Sequence, residues 1–579
     1  MRRHLLLAAV VLALASPALA SSTIVLVNNN APGVGLNDPT PVAPVGGNPG
    51  TTLGQQRLNV FQRAADLWAA ELDSPITITV LASMEPLACT ATTATLGSAG
   101  ARFIFSDFGS VSSFYPGAEF PNVWYGSALA SRRAGVDILS LIPAAPAGTP
   151  PNTDIRARFN SEIGKPGCLT GSFWYYGLDT NAPAGQNNLL VVLLHEIAHG
   201  LGFQQFSNIS SGAQIAGLGD IYAQHLLDTS IGRTWNQMTD AQRAASAINS
   251  RNLVWDGITV GSDLPSVMTR GRPLMRVNPP AGIAGNYDLG TASFGPALNG
   301  SGVSGGVVLG LDAANAAGPS TTDGCTALTN AAAVIGKIAL LDRGTCGFIV
   351  KVKNAQDAGA IAVLIADNVA GGPPAGLGGA DPTIVIPSGR ITQPVGNLVK
   401  ANLAGGVNVT MLLDLAKYSA ADDAGRPFVY NPNPTIAGSS ISHWDTAATP
   451  NLLMEPNINT DLTLKVKPPD DLTLSLLRDI GWYADADDDG LADNLDACDA
   501  SDLRGTIYID GVNTAIANLM FSNGCTMADK IANAGAAAGN HGQFVSAVSA
   551  LGNSWKGDII TNQEHAVLVK TAAHSSIGH

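Results

Sequence analysis

The stretch Leu193-Leu194-His195-Glu196-Ile197-Ala198-His199-Gly200-Leu201-Gly202-Phe203 carries the strongest structural and chemical signal in this 579-residue chain. On a helix, two histidines four residues apart lie one turn apart on the same face, so both imidazoles can bind one Zn²⁺ ion. Glu196 lies between them and is then placed to act on a water molecule at the metal. The pattern predicts a zinc peptidase site with His195 and His199 as ligands and Glu196 as the catalytic residue.

The residues around the motif favour a buried helix that ends soon after the second histidine. The run from Leu189 to Leu194 is apolar on every face, and polar side chains buried in such a core need partners such as a metal ion. Gly200 and Gly202 predict that the helix stops just after His199. Two core histidines satisfied by hydrogen bonds alone are the alternative interpretation.

The elements that precede the motif favour an α/β core. Residues Gln56–Leu72 have the apolar spacing of an amphipathic helix. Strands are expected at Thr23–Val27 and around Ile76–Val80, where apolar residues alternate with threonines. Between Arg251 and Pro296 the pattern is irregular and predicts no element.

Composition and the first residues indicate an exported, loop-rich protein of several domains. Residues 1–20 have the pattern of a secretory signal peptide, with Arg2 and Arg3, an apolar stretch, and Ala18-Leu19-Ala20 before the expected cleavage site. No later segment is an uninterrupted apolar run of about 18 residues, so no stable membrane insertion is expected. The formal net charge of −14 argues against nucleic acid or anionic membranes as partners. The expected location is extracellular, or the periplasm if the source is Gram-negative.

The six cysteines fit three disulfides, as expected for a protein of an oxidising compartment. A cysteine zinc site is the alternative, but no two cysteines have the C-x-x-C spacing. Pairing of neighbours within each domain is the simplest interpretation: Cys89 with Cys168, Cys325 with Cys346, and Cys498 with Cys525.

A second module begins near residue 301. Helical spacing over Phe348–Ala358 lies among short strands expected at Val307–Leu309, Ile335–Asp342 and Ala362–Ala366. The segment Gly336-Lys337-Ile338-Ala339-Leu340-Leu341-Asp342-Arg343-Gly344-Thr345-Cys346-Gly347-Phe348 resembles the protease-associated (PA) domain. The resemblance implies a β-rich α/β domain over residues 301–418 that serves as a lid or binding module and adds no second active site.

The zinc site needs a third ligand, because catalytic zinc usually has three protein ligands and one open position. The compact metzincin pattern would place a histidine at position 205, where this chain has Gln205, a poor zinc ligand. Asp220 and His225 are possible donors further along the chain. A stronger candidate is His443 in Ser442-His443-Trp444-Asp445, although a surface or structural histidine would also fit there.

The order of these motifs resembles the leishmanolysin family of metzincins, in which an inserted domain separates HExxHxxGF from the third histidine and a methionine turn. Pro450-Asn451-Leu452-Leu453-Met454-Glu455-Pro456 lies in the place of that turn. The resemblance implies Glu196 as the catalytic base, Met454 beneath the metal, and three zinc ligands: His195, His199 and His443. This chain differs from the protozoan members because a PA domain fills much of the insertion.

An acidic run follows Tyr483. Carboxylates at alternate positions, with Gly490 at the sixth place, can bind one hard cation. An EF-hand would have Glu at the twelfth place, where this chain has Asp496, and with Cys498 the run resembles a thrombospondin type 3 calcium repeat. A solvated acidic linker is the alternative. The expected Ca²⁺ ligands are Asp485, Asp487, Asp489, Asp493 and Asp496.

Together these patterns predict a secreted, calcium-supported zinc endopeptidase of proteins or peptides, with an α/β (α+β) metzincin-like catalytic domain split by the PA domain. An exported, catalytically inactive binding protein is the alternative from another class, although an intact Glu196 argues against it. A zinc hydrolase of other bonds is a third possibility. The predicted boundaries are 1–20 for the signal peptide, 21–300 and 419–483 for the catalytic domain, 301–418 for the PA domain, 484–500 for a calcium-binding loop, and 501–579 for a C-terminal accessory segment.

Overall fold

The computed structural model describes residues 22–109, 117–459, 461–482, 496–498, 500–521, 523–557 and 559–578. The predicted signal peptide, residues 1–20, lies outside this range. The hydrophobic cores define a split domain (residues 22–269 and 419–482), an inserted domain (residues 270–418) and a C-terminal domain (residues 500–578). Over the described residues, no helix has the length and apolar character needed to cross a membrane.

The split domain is built on a four-stranded sheet in the order Ile24–Asn28, Ile78–Glu85, Ile155–Asn160 and Gly97–Ala101. The first three strands are parallel, and the last runs antiparallel at the edge. The helices Leu53–Ala69 and Leu189–Leu201 pack together against the sheet. The α/β core expected from the sequence is confirmed. The edge strand Gly97–Ala101 was not expected, because glycine and alanine have low β propensity.

The rest of the split domain consists of short elements. Its further helices are Ser127–Ala134, Ile221–Gln224, Asp240–Ser246, Ile258–Val267 and Thr473–Asp479. Its further strands are Ile104–Phe105, Val123–Gly126, Phe173–Tyr175, Gln186–Asn188, Gly219–Asp220, Leu226–Asp228, Arg233–Thr234 and Leu253–Trp255.

The inserted domain contains an eight-stranded mixed sheet with helices Ala331–Val334, Phe348–Asp357 and Gln393–Asn402. Strand order is Gly285–Asp288, Arg270–Val277, Asn408–Tyr418, Val303–Leu309, Ile338–Asp342, Ala362–Ala366, Ser388–Ile391 and Gly290–Thr291. The first and last strands of this sequence segment pair with each other, so that Arg270 lies opposite Tyr418. The chain therefore enters and leaves the domain at neighbouring points.

The boundary predicted at residue 301 differs from the structure. Three strands that precede it, starting at Arg270, belong to the sheet of the inserted domain. Gly271 and Pro273 interrupt the apolar alternation of the first of these strands, and both residue types obscure a strand signal. The pairing of Arg270–Val277 with Asn408–Tyr418 is long-range, so it leaves no local pattern in the sequence.

The C-terminal domain has a hairpin of Thr506–Ile509 and Val512–Ala517, packed with three helices: Met527–Ala537, His541–Trp555 and Asn562–Ala573. The disulfide Cys498–Cys525 connects the chain just before this domain to the segment between its hairpin and its first helix. The other two predicted disulfides, Cys89–Cys168 and Cys325–Cys346, are also present. The pairing of neighbouring cysteines is thus confirmed.

Gly200 allows the motif helix to approach the sheet. A Cβ atom at this position would lie 2.3 Å from Cγ2 of Ile155, a fully buried residue of the central sheet. The helix continues through Gly200 to Leu201, and it ends at Gly202, whose φ of 130° few other residues adopt. Only the second glycine therefore ends the helix, whereas the first permits close helix–sheet contact.

We expect Gly200→Ala to lower the free energy of unfolding by about 1–3 kcal/mol, because the added methyl group overpacks a rigid contact. Gly261→Ala is the matched control, since a Cβ at Gly261, within the helix Ile258–Val267, meets no atom within 4 Å. There the substitution should stabilise the protein by about 0.5–1 kcal/mol. Chemical unfolding followed by tryptophan fluorescence measures both, and equal effects at the two sites would contradict this account.

Candidate metal centre

Three histidines converge at one buried point of the split domain. His195 Nε2 lies 3.1 Å from His443 Nε2 and 3.2 Å from His199 Nε2. One nitrogen of each ring can be chosen so that all three lie within 4.8 Å of one another. The three residues are 4–8% exposed. The structure thus brings together the two histidines of the helix and a third one that lies 244 residues beyond His199 in the sequence numbering.

The backbone orients each imidazole. The Nδ1 atoms lie 2.7 Å from the Leu453 carbonyl for His195, 2.7 Å from the Phe203 carbonyl for His199, and 2.6 Å from the Ser439 carbonyl for His443. A carbonyl can only accept, so each Nδ1 carries the proton and each Nε2 offers a lone pair. Three lone pairs directed at one point favour a cation between them, and three neutral imidazoles suit Zn²⁺.

Burial keeps these rings neutral. Loss of hydration, together with the neighbouring His199, lowers the pKa of His195 to about 3, although the hydrogen bond to the Leu453 carbonyl opposes this change. Burial likewise lowers the pKa of His199 to about 4 and that of His443 well below its usual range. Neutral imidazole is the form that binds metals, so the cluster is ready to bind a cation at neutral pH.

A tight turn lies next to the three rings. Its Leu453 carbonyl accepts the hydrogen bond from His195, and the Leu453 amide donates to Asp471 Oδ2 over 2.6 Å. The amide of Trp444, adjacent to His443, donates to the carbonyl of the fully buried Met454 over 2.8 Å. The turn thus connects the helix to the third histidine. Sequence reasoning missed Asp471, because its role depends on a contact with a backbone amide that no motif records.

Glu196 lies beside the histidines on the wall of an open cleft of about 920 Å³. The edge strand Gly97–Ala101 forms another wall, and a Cβ atom at Gly97 would lie 3.0 Å from Glu196 Cγ. Burial raises the pKa of Glu196 to about 8, and a backbone hydrogen bond with Ala99 opposes this rise. A cation bound at the three histidines would favour the ionised form and so lower this pKa.

The other candidate ligands lie elsewhere. Both carboxylate oxygens of the buried Asp220 accept backbone amides, from Ala223 at 2.7 Å and from Phe206 at 2.9 Å, so this residue caps a short helix. His225 packs against Trp255, with ring centroids 5.2 Å apart. Gln205 lines the cleft. Within the described residues, the possible metal cluster contains neither Asp220 nor His225.

The predicted calcium ligands cannot be compared with the structure, except for one. Asp485, Asp487, Asp489 and Asp493 lie outside the described residues. Asp496 accepts a hydrogen bond from the backbone amide of Cys498 over 2.7 Å. The calcium repeat stays a prediction.

Comparison with known proteins identifies one part of the chain. Residues 303–399 match the family model of the PA domain. This segment is a PA domain. Its strands and helices belong to the inserted domain described above. The match confirms the PA resemblance of the sequence around Arg343. The match covers less than a fifth of the chain, so the family of the split domain is not shown by it.

Curated relatives match short stretches. Vacuolar-sorting receptor 1 of Pisum sativum is 34% identical over 148 residues, which are 24% of this chain and 23% of the receptor. ER degradation-enhancing alpha-mannosidase-like protein 3 of Homo sapiens is 51% identical over 47 residues, which are 8% of this chain and 5% of that protein. This chain therefore spans under a quarter of the length of each of these relatives.

Solved structures also match in part. The zinc aminopeptidase BSAP of Bacillus subtilis aligns at 22% identity and a TM-score of 0.19, covering 27% of this chain and 36% of that one. An aminopeptidase of Aneurinibacillus sp. strain AM-1 aligns at 19% identity and the same TM-score of 0.19. The alignment covers 34% of this chain and 42% of that one. At these TM-scores the matches carry no inference about the split domain, whose function we infer from its own geometry.

The raised pKa of Glu196 predicts a pH-dependent stability of the metal-free protein. Between pH 4.5 and about 8 this carboxyl is protonated when folded and ionised when unfolded. Its contribution to stability is therefore present at low pH and lost as the pH rises. We expect Glu196→Gln to become more stable than the wild type by about 1.4 kcal/mol for each pH unit in this window.

Urea unfolding of chelator-treated protein at several pH values measures this difference. Asp66→Asn is the control, because it removes an exposed carboxylate from the helix Leu53–Ala69 of the same domain. A stability difference between Glu196→Gln and wild type that stays constant over the window would contradict the prediction.

Proposed function

We propose that this chain is a zinc-dependent endopeptidase whose active site is formed by His195, His199, His443 and Glu196. The observation that carries the proposal is the convergence of three Nε2 atoms, each ring oriented by a backbone carbonyl, beside a carboxyl group in an open cleft. Three protein ligands leave one position of a tetrahedral zinc site open, which is the pattern of catalytic zinc centres.

The residues of the cleft suit peptide hydrolysis. Zn²⁺, when bound, supplies Lewis acidity that lowers the pKa of a water molecule from about 15.7 to about 7 and polarises a carbonyl group. The Glu196 carboxylate accepts the proton of the attacking water and then passes it to the leaving amine. Because this carboxyl group and two of the ligands, His195 and His199, are held on one buried helix, the proton acceptor stays in place beside the metal position.

The edge strand supports a peptide as the substrate. Gly97–Ala101 pairs with Ile155–Asn160 on one side only, and its other side faces the cleft next to Glu196. An unpaired strand edge presents alternating N–H and C=O groups, with which an extended peptide can pair as an additional strand. The small side chains of this strand leave room for the substrate.

We further propose that the centre is of the metzincin type, close to the leishmanolysin pattern. Three features support this assignment. The third histidine follows an inserted domain, Met454 is fully buried in a turn next to the histidines, and the preceding residue, Leu453, accepts the hydrogen bond from His195. The PA domain, residues 303–399, occupies the insertion. Its disulfide, together with the two others, supports export to an oxidising compartment.

We expect the purified protein to contain one zinc ion per chain and His443→Ala to lose it, because two imidazoles alone bind zinc weakly. The affinity for zinc should fall by at least about 100-fold. Mutating a residue that only supports a ligand already lowers metal affinity by up to about 100-fold, and loss of the ligand itself should cost more. Elemental analysis after dialysis against a chelator measures retention. His225→Ala, outside the cluster, is the control and should keep its zinc. Full retention in His443→Ala would rule out the three-histidine assignment.

Glu196→Ala should keep zinc and lose activity on casein or gelatin by about 10²–10⁴-fold, because it removes the proton acceptor. Initial rates of cleavage, with zinc content measured on the same samples, separate chemistry from metal binding. Asp66→Asn should retain full activity. If zinc-loaded wild type and Glu196→Ala are equally inert on proteins and peptides, the chain is an exported binding protein or acts on another bond. The vacuolar-sorting receptor relatives make the first of these the second candidate.

A further inference from the structure

A second cavity, of about 790 Å³, lies where the inserted domain meets the split domain. The inserted domain contributes the strand Ser388–Ile391 and the loop 367–376, and the split domain contributes Arg251 and the segment 430–436. We call it the junction cavity. Its volume lies in the range of binding sites for small molecules and short peptides, about 300–1,000 Å³.

The junction cavity and the histidine cleft are neighbours. Asn433 and Ile436 of the segment 430–436 line the junction cavity, whereas Thr435 of this segment and Ser439, three residues after its end, line the cleft. Gly372 of the inserted domain exchanges two backbone hydrogen bonds with Asn433, of 2.7 and 3.2 Å. The two cavities thus share one wall, and the inserted domain is hydrogen-bonded to it.

The lining of the junction cavity is basic, although the chain carries a formal net charge of −14. Four arginines line it, with Asp367 as the single acidic residue of the lining, and one of the four, Arg251, is paired with Asp288 and Asp445 outside the lining. Asp367 forms ion pairs with both Arg343 and Arg390, so that one positive charge of this trio is not neutralised. Arg270 forms no ion pair among the described residues. An anion is therefore the ligand favoured by the charge of the cavity.

Three buried polar atoms on residues of the lining have no partner among the described residues. They are Nε of Arg251, Nε of Arg390 and Oγ of Ser388, and the last two belong to residues that are 8% and 3% exposed. Ser388 and Arg390 are separated by one position on the strand Ser388–Ile391, so their side chains point to the same face of the sheet. Buried donors without acceptors are rare in proteins. Their presence in one cavity indicates a site for an acceptor.

We propose that the junction cavity binds a carboxylate group of an acidic peptide, with Arg390 Nε–H and Ser388 Oγ–H as donors to the carboxylate. A charged acceptor matches an arginine donor better than a neutral one. A carboxylate fills only a small part of the cavity, and the remaining lining includes Pro296, Pro373 and Pro374. The carboxylate therefore belongs to a larger, partly apolar molecule, and a peptide fits this description. The site does not require the zinc centre.

Fluorescence anisotropy with the full chain carrying Glu196→Gln tests the proposal, since this change prevents cleavage of the probe. One labelled peptide contains central Glu residues in a Gly-Ala background and has blocked ends. A second has Gln in their place and a free C-terminal carboxylate, and a third has Gln and blocked ends. We expect the Glu peptide or the peptide with the free C-terminus to bind, and the blocked Gln peptide not to bind. Which of the first two binds shows whether the recognised carboxylate belongs to a side chain or to the end of the peptide.

Variants then locate the site. Arg390→Gln should weaken binding about tenfold or more, because it removes a charged hydrogen bond, and Ser388→Ala by a smaller factor. Arg276→Gln is the matched control, since Arg276 is exposed on the strand Arg270–Val277 of the same sheet and should leave affinity unchanged. Thermal unfolding shows whether Arg390→Gln remains folded, and Ser388→Ala provides an independent test where it does not.

Three outcomes would overturn the proposal. The first is equal binding of the Glu peptide and the blocked Gln peptide. The second is unchanged affinity in both Arg390→Gln and Ser388→Ala. The third is displacement of the probe by inorganic phosphate at lower concentration than by glutarate, which would assign the cavity to phosphate. A failure of zinc binding or of proteolysis leaves these measurements unaffected, because they require neither.

Discussion

The hydrogen bond between His195 Nδ1 and the Leu453 carbonyl joins two parts of the chain that are 258 residues apart. A buried imidazole needs this partner, because an unsatisfied polar group in an apolar core is destabilising. The same contact sets the proton on Nδ1 and directs Nε2 towards the other two histidines. The position of the Leu453 turn, and with it the return of the chain from the inserted domain, therefore decides whether the three rings converge.

The inserted domain satisfies this requirement through its own sheet. Its first and last strands are antiparallel neighbours, with Arg270 opposite Tyr418, so the chain leaves the domain close to the point where it entered. The roughly 150 residues of this insertion add a PA domain without separating the two parts of the split domain. The entropic cost of bringing the ends of an insertion together grows only slowly with its length, so a long insertion is tolerated when its ends lie close together. The segment 430–436, which follows the inserted domain, lies shortly before His443 in the sequence.

The junction between the two domains has a chemical character of its own. Gly372 pairs with Asn433 in the wall of the histidine cleft, and the basic junction cavity lies on the opposite side of this wall. The cleft of the proposed active site and the junction cavity therefore lie within one continuous structure.

Much of the candidate site follows from local sequence. His195, Glu196 and His199 share a helix face because of their spacing, and the apolar run before them predicts burial, since both depend on neighbours within a few residues. The cysteine pairs are also neighbours in sequence. His443 and Met454 were identified through a family resemblance, as neither has a local signal that separates it from a structural residue.

Only the tertiary structure decided the remaining features. The edge strand Gly97–Ala101 depends on pairing with Ile155–Asn160, and the start of the inserted domain at Arg270 depends on pairing with residues more than 130 positions away. The carbonyl partners of the histidines and the unpartnered Arg390 Nε are likewise set by long-range contacts. The periodicity of a sequence indicates which residues are buried, but not which residues they contact across the fold. The sequence by itself therefore determined which residues can carry the chemistry. The tertiary structure determined how these residues are brought together.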